Sequence, residues 1–177
     1  MNYTLLEDDY SSATTSFFYW FDQYSYDQYE WRFYNVNPAT DIQTWQVGFD
    51  VNGGTTYNQT ITSTSWTQYN NETDTTRASS YDTTMHLNQA ADQQPLTKNI
   101  GSDSDQGTSG WLRLYLPHNI TYAKRFLAQC TSGHNAQYAQ TYWTQGVVNT
   151  TSAIERVKFD LAAGGNIDAR VQFFGIS

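Results

Sequence analysis

Two glutamates that fall on predicted strands, Glu30 and Glu155, have the side chains best suited to catalysis. Glycoside hydrolases use two carboxyl groups, one as a proton donor and the other as a base or nucleophile, and jelly-roll enzymes take the two from neighbouring strands. Charges on strands are commonly solvated and matched by a cross-strand partner. The sequence therefore favours two outward-facing surface charges. A catalytic pair in a polysaccharide-degrading enzyme is the alternative.

Asp103 and Asp105 lie two residues apart in the stretch GSDSDQGTSG, residues 101–110, which could be a calcium loop. An EF-hand-like loop needs oxygen ligands at positions 1, 3, 5 and 12. Counted from Asp103, position 5 is Gly107 and position 12 is Leu114, so half of these ligands are missing. Asp, Ser and Gly are also the residues that favour turns. We therefore predict a turn between strands, and a cation shared with another loop remains the alternative.

The three histidines and the single cysteine show no spacing typical of a metal or nucleophile site. His86, His118 and His134 lie 32 and 16 residues apart, whereas a helical zinc motif places two histidines four residues apart. We expect each of them in a loop. Cys130 shares its alternation phase with Phe126, which is typical of a small core residue. We therefore predict no catalytic, cofactor-binding or metal-ligating residue.

The composition favours strands over helices. Aromatic residues make up 16% of the 177 residues and charged residues 15%, among long tracts of Thr, Ser, Asn and Gln. β-branched and aromatic side chains pack well on a pleated sheet, whereas Ser, Asn and Thr compete with a helix for backbone hydrogen bonds. The length fits one domain with its own core. We predict an all-β protein with a single domain over residues 1–177.

The net charge of −8 is unevenly distributed along the chain. Residues 1–110 hold 14 acidic and 3 basic residues, a net charge of −11, and residues 111–177 hold 3 acidic and 6 basic residues, a net charge of +3. Nucleic acid is an unsuitable partner, because phosphate contacts need clustered Lys and Arg. The basic residues of the second half are spaced along predicted strands: Arg113, Lys124, Arg125, Arg156, Lys158 and Arg170. We expect a solvated sheet face, with a docking face for an acidic partner as the alternative.

We expect neither secretion nor a membrane partner. The opening residues, MNYTLLEDDYSS, lack the basic start and apolar run of a signal peptide. No later segment reaches the roughly 20 apolar residues of a membrane span. The expected place of synthesis is a cytoplasm.

Period-two alternation of apolar and polar side chains recurs along the chain and predicts at least eight strands. Trp31 and Trp45 lie in the apolar phase and are predicted core residues, whereas Tyr24, Tyr26 and Tyr29 could face either side. The predicted strands cover residues 14–21, 28–36, 43–51, 59–69, 111–116, 122–130, 138–148, 154–161 and 167–173. In the strand at 122–130, the apolar phase contains Tyr122, Phe126, Ala128 and Cys130, and is interrupted by Lys124.

Turn signals separate these strands at residues 37–41, 52–54, 101–110, 117–119 and 163–166. Many short strands joined by turns predict an antiparallel β-sandwich of the jelly-roll kind. Residues 70–95 interrupt the pattern with a long polar excursion, in which we predict one short helix around Met85–Ala91. A connection this long is often functional, so we take it as a candidate contact loop.

Four strings carry a resemblance to a known family: FYNVNPATD, FDVNGGTTYN, QPLTKNIGSDSDQGTSGWLRLYLP and TTSAIERVKFDLAAGGNIDARVQFFGIS. The most specific part is a Ser-Ala-Ile lead at Ser152–Ile154, a Gly-Asn-Ile turn at Gly165–Ile167 and an ending of aromatic-Gly-Ile at Phe174–Ile176. From about residue 28 onward the chain resembles small β-sandwich virion structural proteins of tailed, often marine, bacteriophages.

The resemblance implies a non-enzymatic virion protein made in the host bacterial cytoplasm. We expect a capsid decoration or cement protein on the outer head surface, with the major capsid protein or other virion proteins as partners. Symmetric assembly would add stability, so a homo-oligomer such as a trimer is expected. The alternative is a tail-fibre or receptor-binding module, in which exposed Tyr and Trp grip a host glycan.

Overall fold

The computed structural model describes residues 2–51 and 53–177 of the chain. Over these residues the chain forms thirteen strands, and every paired strand is antiparallel to its neighbour. The strands are β1 (Tyr3–Thr14), β2 (Ser16–Trp20), β3 (Gln28–Pro38), β4 (Trp45–Val51), β5 (Thr60–Asn71), β6 (Arg77–Tyr81), β7 (Asn88–Ala91), β8 (Gln94–Pro95), β9 (Thr108–Tyr115), β10 (Lys124–His134), β11 (Tyr138–Val148), β12 (Ile154–Leu161) and β13 (Ile167–Ile176). In this described part of the chain no helix could cross a membrane.

The strands form two sheets. The large sheet has the order β1-β13-β3-β9-β10-β11-β5-β6, with β7 also paired to β5, and the small sheet has the order β2-β12-β4-β8. Eight strands have jelly-roll pairing: β1 with β13, β2 with β12, β3 with β9 and β4 with β8. The other five strands are insertions that widen the large sheet beyond β9. The predicted all-β antiparallel sandwich of the jelly-roll kind is confirmed.

One aromatic cluster joins the two sheets. Trp31 and Phe173 of the large sheet stack with ring centroids 4.9 Å apart, and Tyr19 and Phe159 of the small sheet contact them at centroid distances of 5.3 to 6.1 Å. All four side chains are fully buried. Trp31 and Trp45 are core residues as predicted, and Tyr29 joins them, while Tyr24 and Tyr26 pack partly buried against the cluster.

Several predicted strands match the structure closely, including those at 138–148 and 154–161. The turn at 163–166 is also confirmed, since Gly164 and Gly165 have φ values of 72° and 109° that favour glycine. The turn predicted at 52–54 includes Asn52, which lies outside the described residues. β1 was not predicted, because its run of Glu7, Asp8 and Asp9 hides the alternation of its side chains. Its pairing with β13 is seen only in the structure.

The helix predicted around Met85–Ala91 is wrong, and residues 70–95 are not one open loop. The segment turns back after β5, forms β6 and β7 along the same edge of β5, and then crosses to the small sheet as β8. Backbone hydrogen bonds from Asp82 to Ser65 and from Ser63 to Leu87 fill the gap between β6 and β7. The edge of β5 thus offers hydrogen-bond partners that an isolated helix lacks.

The set of side chains that β10 turns toward the core also differs from the prediction. Tyr122 lies before the strand and is 69% exposed, whereas Lys124 is buried at 1% exposure. Asn119 Oδ1 accepts hydrogen bonds from the backbone N–H groups of Thr121 and Tyr122, which holds these residues in the preceding turn. The Lys124 ammonium instead donates to the carbonyl oxygens of residues 150 and 152, at 3.3 and 2.5 Å. Burial lowers the pKa of Lys124.

Asp82 anchors the crossing segment to the large sheet. Its carboxylate forms an ion pair with Lys98 at 2.6 Å and accepts hydrogen bonds from the hydroxyl of Thr67 at 2.9 Å and from Thr84. Burial alone would raise the pKa of Asp82, but the hydrogen bonds from Lys98, Thr84 and Thr67 together lower it below its ordinary value. The charged carboxylate is therefore the form that stabilises the fold.

We expect Asp82→Asn to lower the free energy of unfolding at pH 7 by about 2 kcal/mol, the scale of lost hydrogen bonds to a charged group. Because the folded-state pKa is depressed, the contribution of Asp82 is present above the unfolded pKa of about 4 and is lost as the pH falls through the folded value. Urea unfolding of both proteins between pH 7 and pH 2.5 measures the difference, which should shrink toward acid.

The matched control is Asp74→Asn, which removes an ion pair with Arg77 whose two side chains are 69% and 73% exposed. Exposed ion pairs contribute little, so this variant should change stability by less than about 0.5 kcal/mol. Equal effects of the two substitutions, or a difference that grows toward acid, would contradict the role given to Asp82.

Candidate functional site

The two glutamates considered as a catalytic pair are not brought together. Glu30 lies on β3 of the large sheet, on the side facing away from the core residues Trp31 and Phe33, whereas Glu155 lies on β12 of the small sheet. Opposite sheets of a sandwich do not place such side chains on one substrate. The alternative of a polysaccharide-degrading pair therefore has no support from the geometry.

Glu30 is the centre of an ion-pair cluster on the outer face of the large sheet. Its carboxylate accepts from Arg32 Nε at 2.7 Å and from Arg113 Nε at 2.9 Å, and Arg113 Nη2 forms a further ion pair with it. The Arg32 guanidinium also lies 4.5 Å from the ring centre of Phe174 and 5.0 Å from that of Tyr3. Glu30 faces outward and has a cross-strand partner in Arg113, as predicted, although these neighbours leave it only 4% exposed.

The stretch containing Asp103 and Asp105 is a turn, as predicted. The N–H of Gln106 donates to the carbonyl oxygen of Asp103 at 3.0 Å, and both aspartates are exposed. Over residues 2–51 and 53–177, no three His, Cys, Asp or Glu side chains lie in a group that could hold a metal ion. Asp41 connects this turn to the β3–β4 connection. Its carboxylate accepts hydrogen bonds from the backbone N–H and the hydroxyl group of Ser102.

The histidines and the cysteine have structural contacts. His118 Nε2 lies 3.1 Å from the Tyr29 hydroxyl, and burial lowers the pKa of His118. His86 packs against Tyr81, and His134 is the last residue of β10, which corrects its predicted place in a loop. Cys130 is a buried core residue as predicted, and its burial raises the pKa of the thiol to about 12. A thiol with this pKa is a poor nucleophile at neutral pH.

The first candidate binding surface is the outer face of the small sheet at β2. Phe18 and Trp20 are 40% and 49% exposed and stack with ring centroids 6.2 Å apart. Directly opposite them on β12 are Lys158 and Arg156, respectively. We call these four residues the β2 patch. Their types, aromatic rings beside basic groups, are those that anchor protein interfaces.

The β2 patch is held in place by its neighbours. The Phe18 ring contacts Tyr57 at 5.7 Å, and the Lys158 ammonium lies 5.7 Å from the Tyr57 ring centre. Lys158 pairs with Asp160 at 2.7 Å, and Arg156 donates to the carbonyl oxygen of Gly54 at 2.8 Å. Two of the bases predicted to face solvent or an acidic partner thus lie beside exposed aromatic rings.

The second candidate surface is the outer face of the large sheet, on the inserted strands. Tyr81 of β6 lies opposite Trp66 of β5, and Trp66 lies opposite Trp143 of β11. These three side chains, which we call the aromatic row, are 43%, 43% and 48% exposed. The indole N–H of Trp66 donates to the hydroxyl of Ser79 at 2.9 Å, which fixes the ring orientation.

The inward side chains of β5 and β11 explain why the aromatic row points outward. Ser65 and Thr67 of β5 are buried, and Ser65 shares a 2.9 Å hydrogen bond with Thr144 of β11. Because side chains alternate along a strand, these buried hydroxyl groups place Trp66 and Trp143 on the opposite face. The sequence alone did not show this orientation, because both phases of β5 consist mostly of Ser, Thr and Gln.

Two shallow grooves follow this face beside the aromatic row. The first has a volume of about 220 Å³ and is lined by Trp66, Tyr81, Trp143 and neighbouring residues. The second, of about 400 Å³, is lined among others by Tyr115 and Arg125. The two grooves share the lining residues Thr64, Leu127 and Gln145, so they adjoin each other on this face.

Comparison of the chain with protein-family models, curated proteins and solved structures finds no match. The function is therefore inferred from the fold and from the two surfaces described above.

Glu30→Gln should lower the free energy of unfolding by about 2 kcal/mol, because the neutral amide leaves two guanidinium groups without their shared carboxylate. Glu155→Gln, on the small sheet, is the matched control and should change stability by less than about 0.5 kcal/mol. Urea unfolding at pH 7 checks both values. A polysaccharide-degrading activity that both substitutions abolish would contradict the purely structural role of Glu30.

Proposed function

We propose that the chain is a non-enzymatic virion protein of a tailed bacteriophage, a capsid decoration protein that attaches to the outer surface of the head through the β2 patch. The observation that carries this proposal is the stacked pair Phe18 and Trp20, nearly half exposed beside Arg156 and Lys158. Exposed aromatic rings next to an arginine are the residue types that most often anchor a protein interface.

The resemblance in the sequence and the jelly-roll pairing both support this proposal. Jelly rolls are a common architecture of viral capsid proteins, although they also serve as lectins and enzymes, so the fold alone does not select the function. The β2 patch adds the chemistry of a protein-binding site. Lys158 is already paired with Asp160, so Arg156 is the group that suits a carboxylate on an acidic partner such as the major capsid protein.

Symmetric assembly is part of the proposal. The strands β1 and β6 form the two ends of the large sheet, and each has one unpaired edge. Unpaired edges favour pairing with another chain, and copies of this protein arranged around a symmetry axis of the head would cover them. A homo-oligomer such as a trimer fits this arrangement.

A tail-fibre or receptor-binding module is the second candidate, and the aromatic row is the observation that favours it. Exposed indole rings on a rigid sheet can stack on sugar rings of a host glycan. The β2 patch and the aromatic row lie on the outer faces of opposite sheets, so one surface can bind the particle while the other faces outward.

The test is co-sedimentation with purified empty heads of the phage that carries the gene. We expect the native protein to bind in stoichiometric amounts around the head, and Trp20→Ala to weaken binding at least about tenfold, the effect of losing an interface anchor. Trp143→Ala, on the opposite face, is the matched control and should bind like the native protein.

Absence of binding to heads, together with binding confined to host cells, would contradict the decoration role and favour the receptor-binding module. Loss of head binding in Trp143→Ala but not in Trp20→Ala would show that the large sheet is the attachment face.

A further inference from the structure

The aromatic row has the features of a preformed ligand site. Trp66 and Trp143 come from adjacent strands in direct register, so their spacing is fixed by backbone hydrogen bonds. The hydrogen bond from Trp66 Nε1 to Ser79 further restricts one of the rings. A site whose rings are already fixed loses little conformational entropy when a ligand binds.

The side chains that flank the indoles along β5 and β11 carry hydroxyl and amide groups, and Leu127 of β10 lines both grooves beside them. Thr64 and Gln145 lie on one side of the indoles, and Gln68 and Thr141 lie on the other, all on the outer phase of β5 and β11. Sugars present apolar ring faces together with many hydroxyl groups, so they match a surface in which stacking rings alternate with hydrogen-bonding side chains.

The two adjoining grooves together offer room for a short chain of sugars. Their lining residues extend along β5 from Trp66 to Thr62, which corresponds to about 13 Å at the rise of a strand. One end therefore offers stacking rings, and the other end lies next to Tyr115 and Arg125.

Arg125 indicates which ligand charge fits the two grooves. Among the described residues that line the two grooves, it is the one charged side chain, and it is exposed. Its guanidinium donates to the carbonyl oxygen of Ala123 at 3.4 Å. Guanidinium groups bind carboxylates and phosphates through two parallel hydrogen bonds, so a negatively charged substituent fits this end.

A second copy of the chain fits this face less well. A stable protein interface buries about 800 Å² on each partner, and charged and amide groups are depleted from its core. Here the aromatic residues are flanked by Thr64, Gln145, Gln68 and Thr141, which would leave amide and hydroxyl groups buried without water.

We propose that the outer face of the large sheet binds an acidic oligosaccharide, with sugar rings stacked on Trp66 and Trp143 and a carboxylate or other anionic substituent bound by Arg125. This site lies on the sheet opposite the β2 patch and does not depend on attachment to a head. Only the setting rests on the proposed virion role: mounted on a particle, the protein contacts a glycan of a bacterial surface.

The experiment is titration of the purified full chain with oligogalacturonate and oligomannuronate hexasaccharides, followed by calorimetry, with cellohexaose and mannohexaose as neutral comparators. We expect at least one uronate hexasaccharide to bind, and to bind more tightly than either neutral sugar. Raising the salt concentration should weaken uronate binding, because the contact with Arg125 is solvent-exposed.

Trp143→Ala should weaken uronate binding at least about tenfold, whereas Trp143→Phe should restore most of it because an aromatic face is retained. Arg125→Gln should lower uronate affinity to the level of the neutral sugars. Trp20→Ala is the matched control and should bind sugar like the native protein, and circular dichroism confirms that each variant is folded.

No uronate binding, equal binding of neutral sugars, or binding that Trp143→Ala leaves unchanged would each overturn the proposal. Self-association that Trp143→Ala abolishes would also overturn it and assign the face to a second copy. Head attachment reports separately on the β2 patch, so failure of one proposal is distinguishable from failure of the other.

Discussion

The alternation of side chains along β2, β5 and β11 links the core of this protein to both of its outer faces. Burial of Phe17 and Tyr19 on β2 forces Phe18 and Trp20 to the outside. On β5 the same rule acts with polar residues inside, since buried Ser65 and Thr67 force Trp66 outward. A shift of one residue in either register would exchange the inner and outer sets. The binding surfaces are therefore consequences of how the core packs.

The inserted strands give the jelly roll a second candidate binding surface. Strands β10, β11, β5, β6 and β7 extend the large sheet past β9, the last of its four jelly-roll strands. The crossing segment that follows β6 holds this extension through Asp82 and Lys98 and through the hydrogen bond from the Tyr142 hydroxyl to the carbonyl oxygen of Lys98 at 3.0 Å. The polar segment at residues 70–95 thus supports the extended sheet on the side opposite to the aromatic row.

Period-two alternation was sufficient to predict the strands that are apolar on one side, such as β12, and therefore the sandwich itself. It was insufficient for β1 and β6, whose pairing depends on backbone hydrogen bonds to a neighbour and whose side chains are mostly exposed. It also failed to predict the burial of Lys124. Two carbonyl oxygens that are distant in the sequence accept hydrogen bonds from its ammonium group and make this burial possible. The aromatic row could not be predicted, because both phases of β5 are mostly Ser, Thr and Gln and the register that aligns Trp66 with Trp143 is tertiary.

The outward orientation of selected tryptophans is the central claim, and hydroxyl-radical footprinting with mass spectrometry tests it most directly. Trp20, Trp66 and Trp143 should be oxidised in the native protein, whereas Trp31 and Trp45, both fully buried, should be protected until the chain is unfolded. Rapid oxidation of Trp31 or Trp45 in the native protein, or protection of Trp66 and Trp143 in the isolated monomer, would contradict the account.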